Sequence, residues 1–484
     1  MDKFVGWLND VLWSPPLIII CILVGLFFSI ATRFLQLRLI PDMLKQMFRG
    51  KSSEAGISSF QALSVALSGR VGTGNIAGVA TAIGLGGPGA VFWMWLIAFV
   101  GAATAYVEST LAQIYKVKQD GEYRGGPAYY IEKGTGMRWY GVVFAIATII
   151  SLTFLMPGVQ ANAIAEGLNN AFGMNNMLTA TIIALLLGII IFGGVKRIAN
   201  VAQFVVPFMA LGYIIVALIV VLMNISEIPA VFGLIFKSAF GADSVFGGLI
   251  GSAIAWGVKR GIYSNEAGQG TGPHAAGAAE VSHPAKQGLV QAFSVYIDTW
   301  FVCTATAFMI LFTKMYSTKT PDGEYLVKTM GTDKPGPQYT QAAVESVLPG
   351  FGSGFVAISL FFFAFTTIMA YYYMSETNVA YLTRGKNNRW AIFAIKIVSM
   401  AAVFYGCVKT SDVAWAFGDT GLGLMVWLNI IAILILMKPA LVALKDYERQ
   451  KREGKDPVFD PEPLGIKNAD YWVEAKKENK KKVI

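Results

Sequence analysis

The sequence predicts an all-α membrane protein with eleven transmembrane helices, ten of them forming a 5+5 inverted repeat behind one extra N-terminal helix. Three observations support this fold class. Of the 484 residues, 55% are hydrophobic and only 14% are charged, whereas a soluble chain carries about 25% charged residues. Eleven apolar stretches are long enough to span a bilayer, and two of them are interrupted by glycine-rich runs. This composition excludes a soluble enzyme, a disordered chain and a coiled coil.

The predicted spans are apolar windows of roughly 20 residues, the length that crosses a hydrocarbon core. They are centred in windows 15–32, 57–84, 88–115, 138–166, 177–194, 200–223, 244–275, 286–313, 352–382, 389–407 and 413–437. They divide the chain into four parts. These parts are an extra helix with a basic linker (1–56), a first five-helix repeat (57–223), a second (224–437) and a basic tail (438–484).

The basic residues predict the orientation. With the N-terminus outside, 28 of the 39 Lys and Arg residues fall in inside segments, 7 fall outside and 4 lie within spans. Such an excess on one side marks the cytoplasm, so we expect the N-terminus outside and the C-terminus in the cytoplasm of a plasma-membrane protein. Because each group holds five spans, the second group enters from the opposite side, as an inverted repeat requires.

The segments outside the spans offer little for other functions. Twelve basic residues lie between Lys438 and Lys482, which favours a solvated cytoplasmic tail facing anionic lipid over a nucleic-acid partner. The external loop from Thr313 to Gly350 is either a lid or a connector. With two histidines in the chain and no HExxH or GxSxG motif, the sequence disfavours catalysis.

Two spans are predicted to be broken. Residues 68–78 read SGRVGTGNIAG, and residues 256–261 (WGVKRG) are followed by NEAGQGTGP at 265–273. Each glycine lowers helix propensity by about 1 kcal/mol relative to alanine, and unwound backbone at membrane depth is tolerated where it lines a cavity. The alternative is a close-packing seam of small residues. Broken helices at matching positions of two halves indicate the binding site of a secondary transporter.

Three motifs resemble one family, the sodium:alanine/glycine symporters. They are GGPGAVFWMWLIAFVG at 86–101, RVGTGNIAG at 70–78 and WGVKRGIYSNEAGQGTGP at 256–273. The resemblance implies a LeuT-type fold of the amino acid–polyamine–cation superfamily. It also implies import of alanine or glycine driven by Na+ as the coupling ion.

The resemblance also implies a substrate site at the first break. It gives the backbone N–H groups of Thr73 and Gly74 to the substrate carboxylate. Relatives with a second sodium site carry a Thr where this chain has Ala255, which puts that second ion in doubt. Asn75 is then available to contact the substrate through its side-chain amide.

For sodium, the resemblance implies carbonyl and hydroxyl ligands, which suit a hard cation. The implied ligands are Ser68, Val71, Phe363, Thr366 and Thr367. The alternative for the Thr pair is that both hydroxyls bond the carbonyls of their own helix.

The substrate amino group and side chain are expected to meet residues just before the second break. These residues are Ile254, Ala255, Trp256 and Gly257. Trp256 either limits the volume of the side chain or packs as an ordinary helix residue. Gln160 and Asn162 follow a Pro-Gly kink. Their side chains either reach the pocket or form hydrogen bonds with backbone groups that the proline leaves without a helical partner.

Ionisable residues inside spans are functional candidates. The acidic ones are Glu108, Asp298, Glu376 and Asp419, and the basic ones are Arg70, Lys259 and Arg260. Ion pairing among them is favoured over a proton-titrating role, and the three cations are gating candidates.

The sequence therefore predicts a sodium-coupled symporter for a small neutral amino acid, working by alternating access among membrane lipids. A proton-coupled carrier of amino acids or amines with the same fold is the near alternative. An ion channel is a distant one, because channels usually arrange their carbonyls in a ring of four copies. The number of sodium ions and the oligomeric state stay open.

Overall fold

The fold of this chain is almost wholly helical. The computed structural model describes residues 2–50, 52–331, 335–384, 386 and 388–483. The helices are α1 Asp2–Leu12, α2 Pro15–Ala31, α3 Leu35–Arg38, α4 Ile40–Met47, α5 Ser59–Arg70, α6 Val79–Gly86, α7 Gly89–Ile114, α8 Pro127–Thr135, α9 Arg138–Ile150, α10 Pro157–Phe172, α11 Asn176–Ile191, α12 Gly194–Met223, α13 Ile228–Ala239, α14 Ile250–Asn265, α15 Gly272–Gly277, α16 Pro284–Val295, α17 Thr304–Thr313, α18 Pro337–Val347, α19 Gly352–Thr383, α20 Arg389–Val408, α21 Ser411–Ile435, α22 Met437–Arg452 and α23 Asp470–Val483.

Short segments of other geometry join these helices. The π-helical segments are Gly74–Gly78, Ser151–Leu155 and Tyr296–Cys303, and the 3₁₀ turns are Ile225–Glu227 and Gly247–Leu249. Two antiparallel hairpins pair β1 Val117–Gln119 with β2 Glu122–Arg124 and β3 Ser317–Lys319 with β4 Tyr325–Lys328.

Eight of the described helical stretches are long and apolar enough to cross a membrane. They are Val5–Ala31, Gly89–Ile114, Arg138–Phe172, Lys196–Met223, Pro284–Thr313, Gly352–Thr383, Arg389–Val408 and Ser411–Ile435. The predicted class of helical membrane protein is thus confirmed, while the count of eleven stays a prediction. The three other windows hold shorter helices: two are broken, and one forms the 16-residue helix Asn176–Ile191.

The surface of the long helices fits a lipid environment. In Lys196–Met223, Phe204 is 73% exposed and Phe208 is 81% exposed, on a helix whose other face is buried. Large apolar side chains exposed in this way are stable where hydrocarbon surrounds them.

The loop from Thr313 to Gly350 is partly folded. It contains the β3–β4 hairpin and helix α18. The Thr318 hydroxyl donates to the carbonyl of Ile83 at 3.1 Å, and Gln341 Nε2 donates to the carbonyl of Gly167 at 2.9 Å. The loop therefore packs on α6 and on α10.

The prediction of a solvated tail was wrong for its aromatic residues. Tyr447, Phe459 and Trp472 are buried, and Trp472 Nε1 donates to the carbonyl of Gln113 at 2.9 Å. Aromatic side chains bury a large apolar area wherever the chain offers a partner, and here the tail packs on the body of the protein.

Candidate functional site

The first predicted break is confirmed. Helix α5 ends before Val71, which has φ −76° and ψ 87°, and a π-helical segment follows over Gly74–Gly78. In a continuous helix the amide of Gly72 would donate to the carbonyl of Ser68. Here the Gly72 amide donates to Oδ1 of Asn75 at 2.8 Å. The break therefore frees the Ser68 carbonyl from its helix.

That freed carbonyl meets the predicted threonine pair. Thr367 Oγ1 lies 2.8 Å from the carbonyl oxygen of Ser68 and 3.0 Å from that of Phe363, and its one O–H can donate to either. Thr366 Oγ1 donates to the carbonyl of Phe363 at 3.0 Å, within its own helix. The structure thus brings Ser68, Phe363, Thr366 and Thr367 together, with buried Val71 at the break. Carbonyl and hydroxyl oxygens at an unwound helix are the type of donor set that holds a coupling cation.

Gln160 reaches the same break from α10. Its Oε1 accepts the backbone N–H of Thr73 at 2.9 Å, and its Nε2 donates to the hydroxyl of Tyr263 at 3.4 Å. A Cβ on Gly72 would lie 3.0 Å from Gln160 Oε1 and would collide with Thr367 Oγ1. The absence of a side chain at Gly72 therefore allows Thr367 and Gln160 to approach the backbone of the first break closely.

Asn75 connects the first broken helix to Asp298. Asn75 Nδ2 donates to Asp298 Oδ1 at 2.7 Å, the Ser264 hydroxyl donates to the same oxygen at 3.0 Å, and the Thr299 hydroxyl donates to Oδ2 at 2.7 Å. Asp298 is fully buried and lies in the π-helical segment Tyr296–Cys303. This carboxylate joins both broken helices, because Ser264 lies in α14, two residues before the second break begins at Glu266.

The second break falls in the later of the two predicted runs, 265–273, and not in the earlier run, 256–261. Helix α14 runs unbroken over Ile250–Asn265, and the chain leaves it at Glu266, where φ is 55°. Gly268 and Gly270 follow with φ of 83° and 87°, and α15 begins at Gly272. Positive φ at these positions favours glycine.

Four predicted site residues therefore lie inside a helix and not beside a break. They are Ile254, Ala255, Trp256 and Gly257. A Cβ on Gly257 would lie 2.6 Å from Cβ of Trp93, so this glycine allows α14 to pack closely on α7. The expectation that these residues lie just before the second break was wrong, since α14 continues past them to Asn265.

The second break is held by a different set of groups. Glu108 Oε1 accepts the amide of Gly268 at 3.3 Å, and its Oε2 accepts Nδ2 of Asn429 at 2.8 Å. Asn429 Nδ2 also donates to the carbonyl of Gly268 at 2.9 Å. The Thr271 hydroxyl donates to Oε2 of Glu266 at 2.8 Å. Side chains from α7 and α21 thus form hydrogen bonds with the backbone N–H and C=O groups that the break leaves without helical partners.

Ion pairing is confirmed for one of the four intramembrane carboxylates. Asp419 forms a two-point pair with Arg260, at 2.8 and 3.0 Å, and lies 2.8 Å from Nζ of Lys259. The Arg260 guanidinium lies 4.1 Å from the ring centre of Trp415 and 5.1 Å from that of Trp256. These contacts, which we call the Asp419 ion cluster (Lys259, Arg260, Asp419), join the middle of α14 to α21.

The other charged candidates have different partners. Glu376 lies 3.9 Å from Arg124, whereas Glu108 and Asp298 accept hydrogen bonds from the neutral groups described above. Arg70 is buried and donates to the carbonyl of Gln291 at 3.1 Å and to the Ser294 hydroxyl. Among the described residues, the predicted pairing with the three intramembrane cations was therefore wrong for Glu108, Asp298 and Glu376, and Glu376 pairs with Arg124 instead.

Asn162 lies apart from the break. Its Nδ2 donates to the carbonyls of Gly406 at 3.3 Å and Lys409 at 2.8 Å. Of the two residues after the Pro-Gly kink, Gln160 is the one that contacts the first break.

Sequence reasoning missed two residues of this region, Ser264 and Cys303. Both contact Asp298 or Asn75, and the Ser264 hydroxyl lies 3.1 Å from the Cys303 sulfur. Ser264 could have been found, because it stands directly before the polar run at 265–273. Cys303 gave no signal beyond its place in an apolar run.

One family model and several known proteins are similar to this chain over most of its length. The model of the sodium:alanine symporter family matches residues 1–461. The "Putative sodium/proton-dependent alanine carrier protein YrbD" of Bacillus subtilis (strain 168) is 70% identical, over 98% of this chain and 98% of its own. The "Sodium/proton-dependent alanine carrier protein" of Bacillus sp. (strain PS3) is 58% identical, over 89% and 97%. The "Probable sodium/glutamine symporter GlnT" of Bacillus subtilis (strain 168) is 46% identical, over 95% and 93%.

Proposed function

This chain belongs to the sodium:alanine symporter family, and we propose that it is a sodium-coupled symporter that imports alanine or glycine. Members of this family are transporters and not enzymes, and the chain is a multi-pass protein of the plasma membrane. We further propose that it crosses the membrane eleven times as a LeuT-type 5+5 repeat, with its N-terminus outside and its C-terminus in the cytoplasm. The proposed repeats are residues 57–223 and 224–437.

One observation carries the proposal. The freed carbonyl of Ser68 lies 2.8 Å from the hydroxyl of Thr367. Five residues after Ser68 along the chain, the Thr73 amide donates to Gln160. A cation site and an amide donor for a carboxylate therefore occupy the same break. An ion bound at Ser68 and Thr367 would fix the backbone that presents the Thr73 N–H, which gives coupling a direct physical route.

Gln160 supplies a second polar contact for the substrate. A carboxylate at the Thr73 amide would take the place of the Gln160 amide oxygen, and a turn of that amide would then present its two N–H donors to the carboxylate. Sodium and substrate would together stabilise a closed state, and the two repeats would open alternately around it.

The experiment is uptake of radiolabelled alanine into proteoliposomes under three inward gradients: sodium, potassium of equal strength, and protons. Accumulation with sodium and not with potassium is the expected result. Competition by unlabelled glycine and by glutamine then ranks the substrates. No accumulation under any gradient would overturn the proposal, and a current that flows without alanine would favour a channel.

Proton coupling is the second candidate, because Asp298 is a fully buried carboxylate hydrogen-bonded to Asn75 of the first break. Two of the relatives are also named as sodium/proton-dependent carriers. Accumulation driven by the proton gradient alone would support this candidate and would make Asp298→Asn the next variant to measure.

A further inference from the structure

The C-terminal segment crosses the end of the molecule that the basic residues assign to the cytoplasm. Phe459 donates its backbone N–H to the carbonyl of Ser282 at 2.9 Å, and the Ser282 hydroxyl donates to the carbonyl of Pro457 at 2.8 Å. Lys286 pairs with Asp456 at 2.7 Å. These contacts fasten the tail to the loop that follows α15, the inner half of the second broken helix.

The same segment then encloses a lysine at the end of α7. Nζ of Lys116 lies 4.4 Å from the ring centre of Tyr123, 4.6 Å from that of Tyr471 and 5.1 Å from that of Trp472. Two of these three rings come from the tail. Burial lowers the pKa of Lys116 to about 7, against an opposing effect of Glu280. The rings therefore shield this amine thoroughly from water.

The enclosed lysine contacts the inner ends of the broken helices. Its Nζ donates to the carbonyl of Ala279 at 2.9 Å, as does Nε2 of Gln113. Ala279 lies in a short parallel pairing with Ile57, in which Ile57 donates to the carbonyl of Ala278 at 3.1 Å and Glu280 donates to that of Ile57 at 2.8 Å. Ile57 leads into α5, so this pairing ties the inner halves of both broken helices together.

The segment also holds α8. Asn468 Nδ2 donates to the carbonyl of Lys133 at 2.8 Å, and Lys133 pairs with Asp470. The tail thus bridges α7, α8 and the loop after α15 in one closed arrangement. Opening toward the cytoplasm requires the inner half-helices to separate from their neighbours, which the bridge opposes.

We infer that residues 456–472 form a clasp that holds the cytoplasmic ends of the two broken helices closed, and that release of this clasp accompanies opening toward the cytoplasm. The inference rests on the proposed transport cycle. Its test measures opening directly and needs neither alanine nor an ion gradient, so it can fail while the proposed function stands.

The test places a cysteine two turns inside α5, at the fully buried Ala66. The full-length Ala66→Cys protein in inside-out vesicles is treated with a charged thiol reagent, and the rate of modification is measured. The three native cysteines are buried, so the unsubstituted chain gives the blank. Removal of the tail rings alone does not uncover a site this deep in the helix; opening does.

Tyr471→Ala with Trp472→Ala, added to Ala66→Cys, is expected to raise the modification rate at least about tenfold, the population shift that follows from losing buried cation–π contacts. Lys116→Met removes the amine from the other side of the contact and leaves the tail intact. It is expected to raise the modification rate by a smaller factor.

Lys467→Ala, an exposed change in the same tail, serves as the matched control and is expected to leave the modification rate unchanged.

An unchanged rate in both the double variant and Lys116→Met would overturn the clasp. An equal rise with Lys467→Ala would also overturn it, because the effect would then come from any disturbance of the tail. The Lys116→Met variant keeps the test decisive if the double variant does not fold.

Discussion

The two broken helices solve the same problem in different ways. The first break is short and is lined by groups that can bind something else, since Gln160 and Thr367 meet its freed amide and carbonyl. The second break spans about six residues, has positive φ at Glu266, Gly268 and Gly270, and is filled by Glu108 and Asn429. At the first break these partners are an amide and a hydroxyl, whose places a carboxylate or an ion could take, whereas at the second break the buried Glu108 carboxylate already accepts the freed Gly268 amide. The first break therefore has the character of a binding site, and the second that of a supported hinge.

The largest expected effect is at Gly72 in the first break. Gly72→Ala adds a methyl that collides with Thr367 Oγ1 and lies 3.0 Å from Gln160 Oε1, so sodium-driven alanine uptake should fall to below about a tenth, the effect of misplacing groups by about 1 Å. Gly212→Ala is the control, because a Cβ at Gly212 meets nothing within 4 Å. Full activity in Gly72→Ala would show that the first break does not bind the transported species.

The next effect separates the two threonines. Both threonines contact a carbonyl of their own helix, and Thr367 also contacts the Ser68 carbonyl across the break. Thr367→Ala should raise the half-saturating sodium concentration about tenfold, which corresponds to about 1.4 kcal/mol, and Thr366→Ala should raise it less. The double variant should combine both effects, and Thr367→Ser should restore the sodium response. Unchanged sodium dependence in the double variant contradicts the assignment of the ion site.

Substitution of Gln160 is expected to have a smaller effect, on the half-saturating alanine concentration. Gln160→Ala should raise the half-saturating alanine concentration about fivefold, the loss expected for a hydrogen bond worth about 1 kcal/mol, with little change in the sodium dependence. Uptake kinetics over a range of alanine concentrations measure this. An equal shift in both dependences would place Gln160 at the ion.

Asn429 tests the second break as a hinge. Asn429→Ala removes a donor to Glu108 and to the Gly268 carbonyl, so the maximal rate should fall about threefold while the half-saturating alanine concentration stays constant, since uniform binding is untouched. A rise in the half-saturating concentration without a change in rate would move substrate binding to the second break.

The smallest expected effect is at Trp256. Its ring lies 5.3 Å from Nζ of Lys259 and 5.1 Å from the Arg260 guanidinium, which favours a packing role beside the Asp419 ion cluster. Trp256→Leu should therefore change the competition of glutamine against labelled alanine by less than about twofold. Trp390→Leu, at a side chain 82% exposed, is the control. Strong inhibition by glutamine in Trp256→Leu would show that this ring limits substrate size.

The sequence was informative where the signal is local. At the first break, Gly72, Gly74 and Asn75 stand within four residues, and composition alone located the interruption. Around the second break, glycines serve two purposes. Gly257 and Gly261 allow α14 to pack against α7, while Gly268 and Gly270 adopt positive φ. Sequence cannot separate a packing glycine from a breaking one when both lie in one run.

Long-range contacts were beyond the sequence for a different reason. The sequence predicted a solvated tail because twelve basic residues lie in it. In the structure, Tyr471 and Trp472 contact Lys116, which follows a helix far away in the chain. The pairing of Asp298 with Asn75 and Ser264 likewise depends on how three helices cross. Such contacts follow from tertiary packing, which local patterns do not encode.

The short parallel pairing between Ile57 and Ala279 has a consequence for the fidelity of the carrier. Its two backbone hydrogen bonds join the residues that lead into α5 to those that follow α15, so we expect these two halves of the broken helices to move together. If the two halves moved independently, one could tilt with only sodium bound. Sodium would then cross without the amino acid, and its gradient would be dissipated. Because the joined halves are expected to move together, we expect this carrier to leak little sodium in the absence of its amino acid.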